Sequence, residues 1–124
     1  MMLAGKLYTI EQAHMAEGEE ASTYQLLWNA AHPIFQGHFP GRPVVPGVCM
    51  MQTVQELLEL MLQHKVVLKK AANMKFLNMI DPNTHPLVVT QVQYKLQEGE
   101  INVTASLKYE ALTFMKFQGT FVKA

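Results

Sequence analysis

Gly47-Val48-Cys49-Met50-Met51-Gln52-Thr53-Val54-Gln55-Glu56-Leu57-Leu58-Glu59-Leu60-Met61-Leu62-Gln63 contains no proline and no second glycine, and neither residue follows before Lys65. Read as a helix over 47–63, its apolar side chains point in most directions, so it must be largely buried. At about 100° per residue, Gln52, Gln55, Glu56, Glu59 and Gln63 fall on one stripe roughly 100° wide. A helix of this kind needs other chain folded around it.

The flanking sequence supplies strands. After Pro86, Val88, Thr90, Val92, Tyr94 and Leu96 alternate with Val89, Gln91, Gln93, Lys95 and Gln97, which is the pattern of a half-buried antiparallel strand. Ile101, Val103, Ala105, Leu107 and Tyr109 repeat it against Asn102, Thr104, Ser106, Lys108 and Glu110, with Gly99 between the two runs as a tight hairpin turn. A further strand carries Met115, Phe117 and Phe121 inward. Lys6 to Ile10, Ser22 to Trp28 and Val66 to Leu77 are weaker strand candidates. The order is β-β-helix-β-β-β-β, which predicts an α+β fold with an antiparallel sheet wrapped around one long central helix.

Just before that helix lies His38-Phe39-Pro40-Gly41-Arg42-Pro43-Val44-Val45-Pro46. The prolines fix their own φ and push Phe39, Arg42 and Val45 out of the α region, so the loop is stiff. At its end the N–H groups of Gly47 and Val48 are the orphan donors of a helix N-terminus, where negative charge is favoured. A histidine beside such donors suggests proton transfer next to a developing oxyanion.

With 124 residues the chain is expected to form a single domain over 1–124. Ten basic and ten acidic residues cancel, which argues against a general nucleic-acid or membrane-surface role. The first residues lack an apolar stretch of signal-peptide length, and the polar positions in 47–63 exclude a membrane span, so a cytoplasmic protein is expected. Cys49, the only cysteine, cannot form an intrachain disulfide and is expected in the core. No metal, nucleotide or flavin motif is present, so no cofactor is expected.

The segment Phe35-Gln36-Gly37-His38-Phe39-Pro40-Gly41-Arg42-Pro43-Val44-Val45-Pro46-Gly47-Val48 resembles the active-site segment of the hotdog-fold 3-hydroxyacyl-[acyl-carrier-protein] dehydratases of fatty acid synthesis. The match covers about a tenth of the chain, and its length and spacing are specific. The C-terminal half agrees in pattern only. The resemblance implies dehydration of an acyl thioester on a phosphopantetheine-linked acyl carrier protein, and a homodimer or trimer of dimers formed by joining sheets edge to edge. It further implies His38 as base, the Gly47 N–H as oxyanion donor and the Val44 carbonyl as acceptor for the other ring N–H of His38. Phe39, Arg42 and Val48 would line the substrate path. Arg42, the only arginine, sits where a phosphate or an acidic carrier could dock, with Lys69 and Lys70 as possible additions.

One position departs from the family. Fourteen residues after the histidine, where the family has an acid, stands Gln52, and Glu56 occupies the place where the family commonly has glutamine. A carboxamide cannot release a proton. Three readings follow: Glu56 reaches the site from one turn deeper, Gln52 to Gln63 are simply the solvated side of the helix, or His38 alone carries the proton. The functional alternatives are a catalytically impaired acyl-binding subunit that pairs with an active dehydratase, and an acyl thioesterase using Glu56. His14, His32, His64 and His85 are expected in solvated or capping roles. The methionines of the helix suit either an ordinary core or an adaptable acyl tunnel.

Overall fold

A computed structural model describes residues 3–15, 20–37 and 41–124. Six strands, β1 (Tyr8–Met15), β2 (Ala21–Trp28), β3 (Val66–Phe76), β4 (Leu87–Gln97), β5 (Glu100–Tyr109) and β6 (Leu112–Lys123), form one sheet in the order β1-β2-β4-β5-β6-β3. Every pairing is antiparallel. A short helix α1 (Ile34–Gly37) precedes the long helix α2 (Gly47–Leu62). The hotdog arrangement expected from the helix and the alternating strands is the one found.

The alternation predicted for β4 and β5 holds along most of both strands but fails toward the end of β4, where Leu96, expected inward, is 62% exposed. Val88, Thr90 and Val92 are buried while Gln91 and Gln93 are exposed, and Ile101, Val103, Ala105 and Leu107 are buried along β5. Glu98 and Gly99 both take positive φ, 51° and 79°, which gives the two-residue turn whose twist suits a hairpin. On the helix, Cys49, Met50, Val54, Leu57 and Leu58 meet this sheet face, together with Phe117 and Phe121 from β6.

Gly119 marks a tight crossing. A Cβ there would lie 2.5 Å from the Lys70 carbonyl oxygen and 2.6 Å from the Phe117 ring. The neighbouring β3 shifts register between Leu68 and Lys70 and again between Ala71 and Asn73, which brings its backbone onto the glycine.

Two expectations need correction. The first strand begins at Tyr8, not Lys6, because residues 3–7 form a turn with the Leu7 N–H bonded to the Leu3 carbonyl at 2.8 Å and Gly5 at φ 81°. The polar stripe of α2 is not its solvated side. Glu56 is only 6% exposed, and Gln52, Gln55 and Glu59 are half-buried, whereas Val48 and Leu60 face outward at 71% and 49%. Gln55 donates to the Val66 carbonyl at 3.1 Å, and Glu59 accepts the Val66 N–H at 3.0 Å. These side chains pin the start of β3 to the helix.

Strands β1 and β3 are the sheet's edges. Residues 67–73 of β3 are exposed, and beyond them Phe76, Leu77 and Met79 show 48%, 49% and 69% of their surface. Among the described residues no helix is long and apolar enough to cross a membrane.

Candidate active site

Pro46 caps α2 with an extended backbone, φ −61° and ψ 145°, and offers no side-chain acceptor. The N–H groups of Cys49 and Met50 return to the Pro46 carbonyl at 3.0 and 3.2 Å. Gly47 and Val48 are therefore the first two donors of the helix, and among the described residues neither N–H has an acceptor. Donors held this way are suited to an oxygen that gains negative charge.

Gly47 opens onto an apolar hollow of about 430 Å³ lined by Val44, Val45, Met50, Phe76, Leu77, Asn78 and Met79. Its missing side chain matters here, because a Cβ would meet the Phe76 ring at 3.0 Å. The wall is fixed from behind: the Val45 N–H bonds the Ile80 carbonyl at 2.9 Å, the Leu77 N–H the Phe114 carbonyl at 2.8 Å, and the Asn78 amide the Thr113 carbonyl at 2.8 Å. A larger hollow, about 590 Å³, lies on the sheet between Glu20, Gln93, Lys95 and Asn102, and touches no residue of α2.

His38 and Phe39 lie outside the described residues. Of the remaining residues proposed from sequence, Val44 and Gly47 meet in the apolar hollow. Arg42 is exposed in the turn before it, and Val48 faces outward without lining it. Gln52 and Glu56 do not line it either, and they belong to a second constellation.

That constellation is an anchor. Glu56 Oε1 accepts the N–H groups of Leu3 at 3.1 Å and Ala4 at 2.9 Å and the hydroxyl of Tyr8 at 3.0 Å. Its Oε2 accepts the Leu3 N–H at 2.9 Å and the Nε2–H of Gln52 at 3.1 Å. A buried carboxylate is tolerable only with such partners. Burial, reinforced by the Glu56 charge and its hydrogen bond, holds the Tyr8 hydroxyl far above the ordinary tyrosine range. Burial first, and the same charge second, push the Cys49 thiol up.

The sequence did not point to Tyr8, to the amides of Leu3 and Ala4, or to the 76–79 wall. An acid on a largely buried helix was the one available signal, since such a group demands donors. The other histidines have local roles: His32 Nδ1 accepts the Ile34 N–H at 3.0 Å at the start of α1, and His85 stacks edgewise on Tyr109 and Phe114 at 5.3 and 5.1 Å.

A family model described as ApeI-like, ApeI dehydratase, matches residues 14–118. The 3-hydroxyacyl-[acyl-carrier-protein] dehydratase FabZ of Clostridium acetobutylicum is 32% identical over 89 residues, 66% of this chain. This chain spans only 59% of that relative's length. The FabZ of Acetivibrio thermocellus is 29% identical over 117 residues, covering 88% of this chain and 76% of the relative. Among solved structures, the dehydratase heterocomplex ApeI:P of Xenorhabdus doucetiae superposes with a TM-score of 0.73 at 16% identity, over 91% of this chain and 96% of that one. A hypothetical thioesterase of Streptococcus pneumoniae solved with coenzyme A gives 0.66 at 9% identity, over 94% and 85%. These two structural likenesses speak to the fold alone. The family match over most of the chain agrees with the resemblance carried by residues 35–48, and this chain belongs to the ApeI-like dehydratase family.

Proposed function

We propose that the protein dehydrates a 3-hydroxyacyl thioester carried on an acyl carrier protein, giving the trans-2-enoyl thioester and water. The observation that carries this reading is the Gly47 N–H, a donor without an acceptor among the described residues, at the head of α2 and opening onto an apolar hollow. The thioester oxygen sits against that donor while His38 takes the proton from C2, and the Val44 carbonyl holds the other ring N–H of His38. The C2–H electrons form the new double bond as the C3–O bond breaks. The hydroxide takes up a proton and leaves as water. With Gln52 at the family's acid position, that proton is the one His38 removed. Phe39 borders the acyl path, and Arg42 meets the phosphate of the pantetheine arm. Glu56 serves as the anchor of the N-terminal turn, not as the acid. We further propose a cytoplasmic protein of one domain that joins a second copy along the exposed β3 edge, which needs a partner to satisfy its backbone.

A second reading, a non-catalytic subunit paired with an active dehydratase, is favoured by Gln52 and by the exposed apolar residues at the end of β3. A relative solved as a dehydratase heterocomplex adds to it. Incubating the pure protein with 3-hydroxydecanoyl carrier protein and separating the products decides between them. Enoyl thioester supports dehydration, unchanged substrate supports the subunit role, and free acid indicates a thioesterase.

A further inference from the structure

We propose that Asn78 is a specificity-determining residue whose side-chain oxygen accepts a hydrogen bond from the amide N–H of the pantetheine arm nearest the thioester. The proposal rests on the dehydratase reading and deepens it by giving a task to the wall that faces Gly47. Among the residues lining the hollow at Gly47, Asn78 alone has a polar side chain. In a mostly apolar pocket, a single polar group of this kind fixes the orientation of a ligand. Its own orientation is set by the chain behind it. The Nδ2–H of Asn78 donates to the Thr113 carbonyl at 2.8 Å, and a flipped carboxamide would set oxygen against oxygen. Oδ1 is therefore the branch directed away from Thr113, and among the described residues no donor meets it. The backbone is held as well, because the N–H groups of Leu77 and Asn78 lie 2.8 and 3.5 Å from the carbonyl of the buried Phe114.

The hollow has a buried side and an open one. Val45 and Met50 are buried, whereas Phe76, Leu77, Asn78 and Met79 are exposed. With the thioester oxygen on the Gly47 N–H, the acyl tail runs to the buried side and the arm leaves across the exposed one. The 3-hydroxyl stays with His38, which returns a proton to it. The donor that remains for Asn78 is the arm's amide nearest the sulfur. That N–H gives up water as it crosses apolar side chains, so an acceptor waiting there favours the amide over any isostere without the proton.

The test uses two unreactive ketone analogues of the acyl thioester, the 2-oxononyl thioethers of N-acetylcysteamine and of 2-mercaptoethyl acetate, which differ only in an amide N–H replaced by an ester oxygen. Both are titrated by calorimetry into the parent, Asn78→Leu and Asn78→Ala. The parent should prefer the amide compound by about three- to tenfold, as one hydrogen bond implies. Both variants should bring that ratio close to one, chiefly by weakening the amide compound. A merely structural role for Asn78 would weaken the two compounds alike and leave the ratio where it was. Equal binding by the parent, binding of neither compound, or an undiminished ratio in a folded variant overturns the proposal. Should Asn78→Leu fail to fold, the smaller Asn78→Ala and the parent's own ratio decide. Enoyl formation from 3-hydroxyoctanoyl-N-acetylcysteamine is followed in parallel. Amide preference without enoyl product sinks the dehydratase reading and leaves the Asn78 subsite standing, and enoyl product without amide preference does the opposite.

Discussion

Gln52 donates through Nε2 to Glu56 Oε2 at 3.1 Å, and the same carboxyl takes the amides of Leu3 and Ala4 and the hydroxyl of Tyr8, tying the first turn of the chain to the middle of α2. Two residues that lie side by side on the helix thus do unlike things. One is a fixed acceptor in the interior, and the other is half-buried and held in one orientation by it.

Removing the anchor should be costly. Glu56→Ala removes the shared acceptor of four donors, the amides of Leu3 and Ala4, the Tyr8 hydroxyl and the Gln52 side chain, and a loss of about 3 kcal/mol or more is expected. Glu56→Gln keeps an acceptor oxygen and should lose about half as much. Urea unfolding checks both, and equal stability of parent and Glu56→Ala would show that the carboxyl carries no structural weight.

The two crowded glycines should separate stability from binding. Gly119→Ala drives a methyl into the Lys70 carbonyl and the Phe117 ring, and backbone cannot yield cheaply, so a loss of about 2–3 kcal/mol or failure to fold is expected. Gly47→Ala meets only the Phe76 ring, which is 48% exposed and can turn aside. It should cost under about 1 kcal/mol yet narrow the hollow, lowering kcat/KM about tenfold, with partial recovery in the Gly47→Ala, Phe76→Ala double variant.

Alkaline pH should loosen the fold. Tyr8 and Cys49 both have their pKa raised in the folded state, so folded protein holds protons that unfolded chain releases. Their contribution is present below the unfolded values, about 8.5 for the thiol and about 10 for the phenol, and is lost as pH rises above them. Thermal unfolding between pH 7 and pH 11, scanned in the parent and in Tyr8→Phe, Cys49→Ala, should show a smaller alkaline loss in the double variant.

Gln52→Glu sets a second carboxyl beside Glu56, where two like charges cannot both ionise freely, so the pair keeps a proton to higher pH than a free carboxyl. That proton restores an acid at the family's position, and dehydration should rise by about a hundredfold. The rate should fall as pH rises through the upper titration of the pair. Stability follows the same sign: the folded state binds the extra proton above about pH 4, so stability also declines as pH rises toward that upper value. A variant no faster than the parent at any pH would show that position 52 does not face the leaving hydroxyl.

Much of the fold was legible because alternation and helical periodicity report directly on which side chains share a face. Val88 to Val92, Ile101 to Leu107 and the apolar residues of α2 sorted themselves by period alone. The start of β1 was not legible, since the turn that delays it depends on the amides of Leu3 and Ala4 meeting a carboxyl more than fifty residues away. For the same reason the reading of the stripe from Gln52 to Gln63 stayed open: period shows that residues share a side, not what that side meets. At the site, Gly47 and Val44 could be found from the proline-stiffened loop. The opposite wall, Phe76 to Met79, carries no motif and is brought there only by β3 and its bond to Phe114.

The central claim is base-driven dehydration by His38, and it is tested most directly by mass-spectrometric conversion of 3-hydroxydecanoyl carrier protein by the parent and by His38→Ala. The account predicts slow but measurable loss of one water in the parent, with the enoyl thioester still attached to the carrier. It predicts a rate lowered by at least about a hundredfold in a His38→Ala protein that folds normally. Equal conversion by the two proteins, or intact hydroxyacyl carrier after prolonged incubation with the parent, would contradict it.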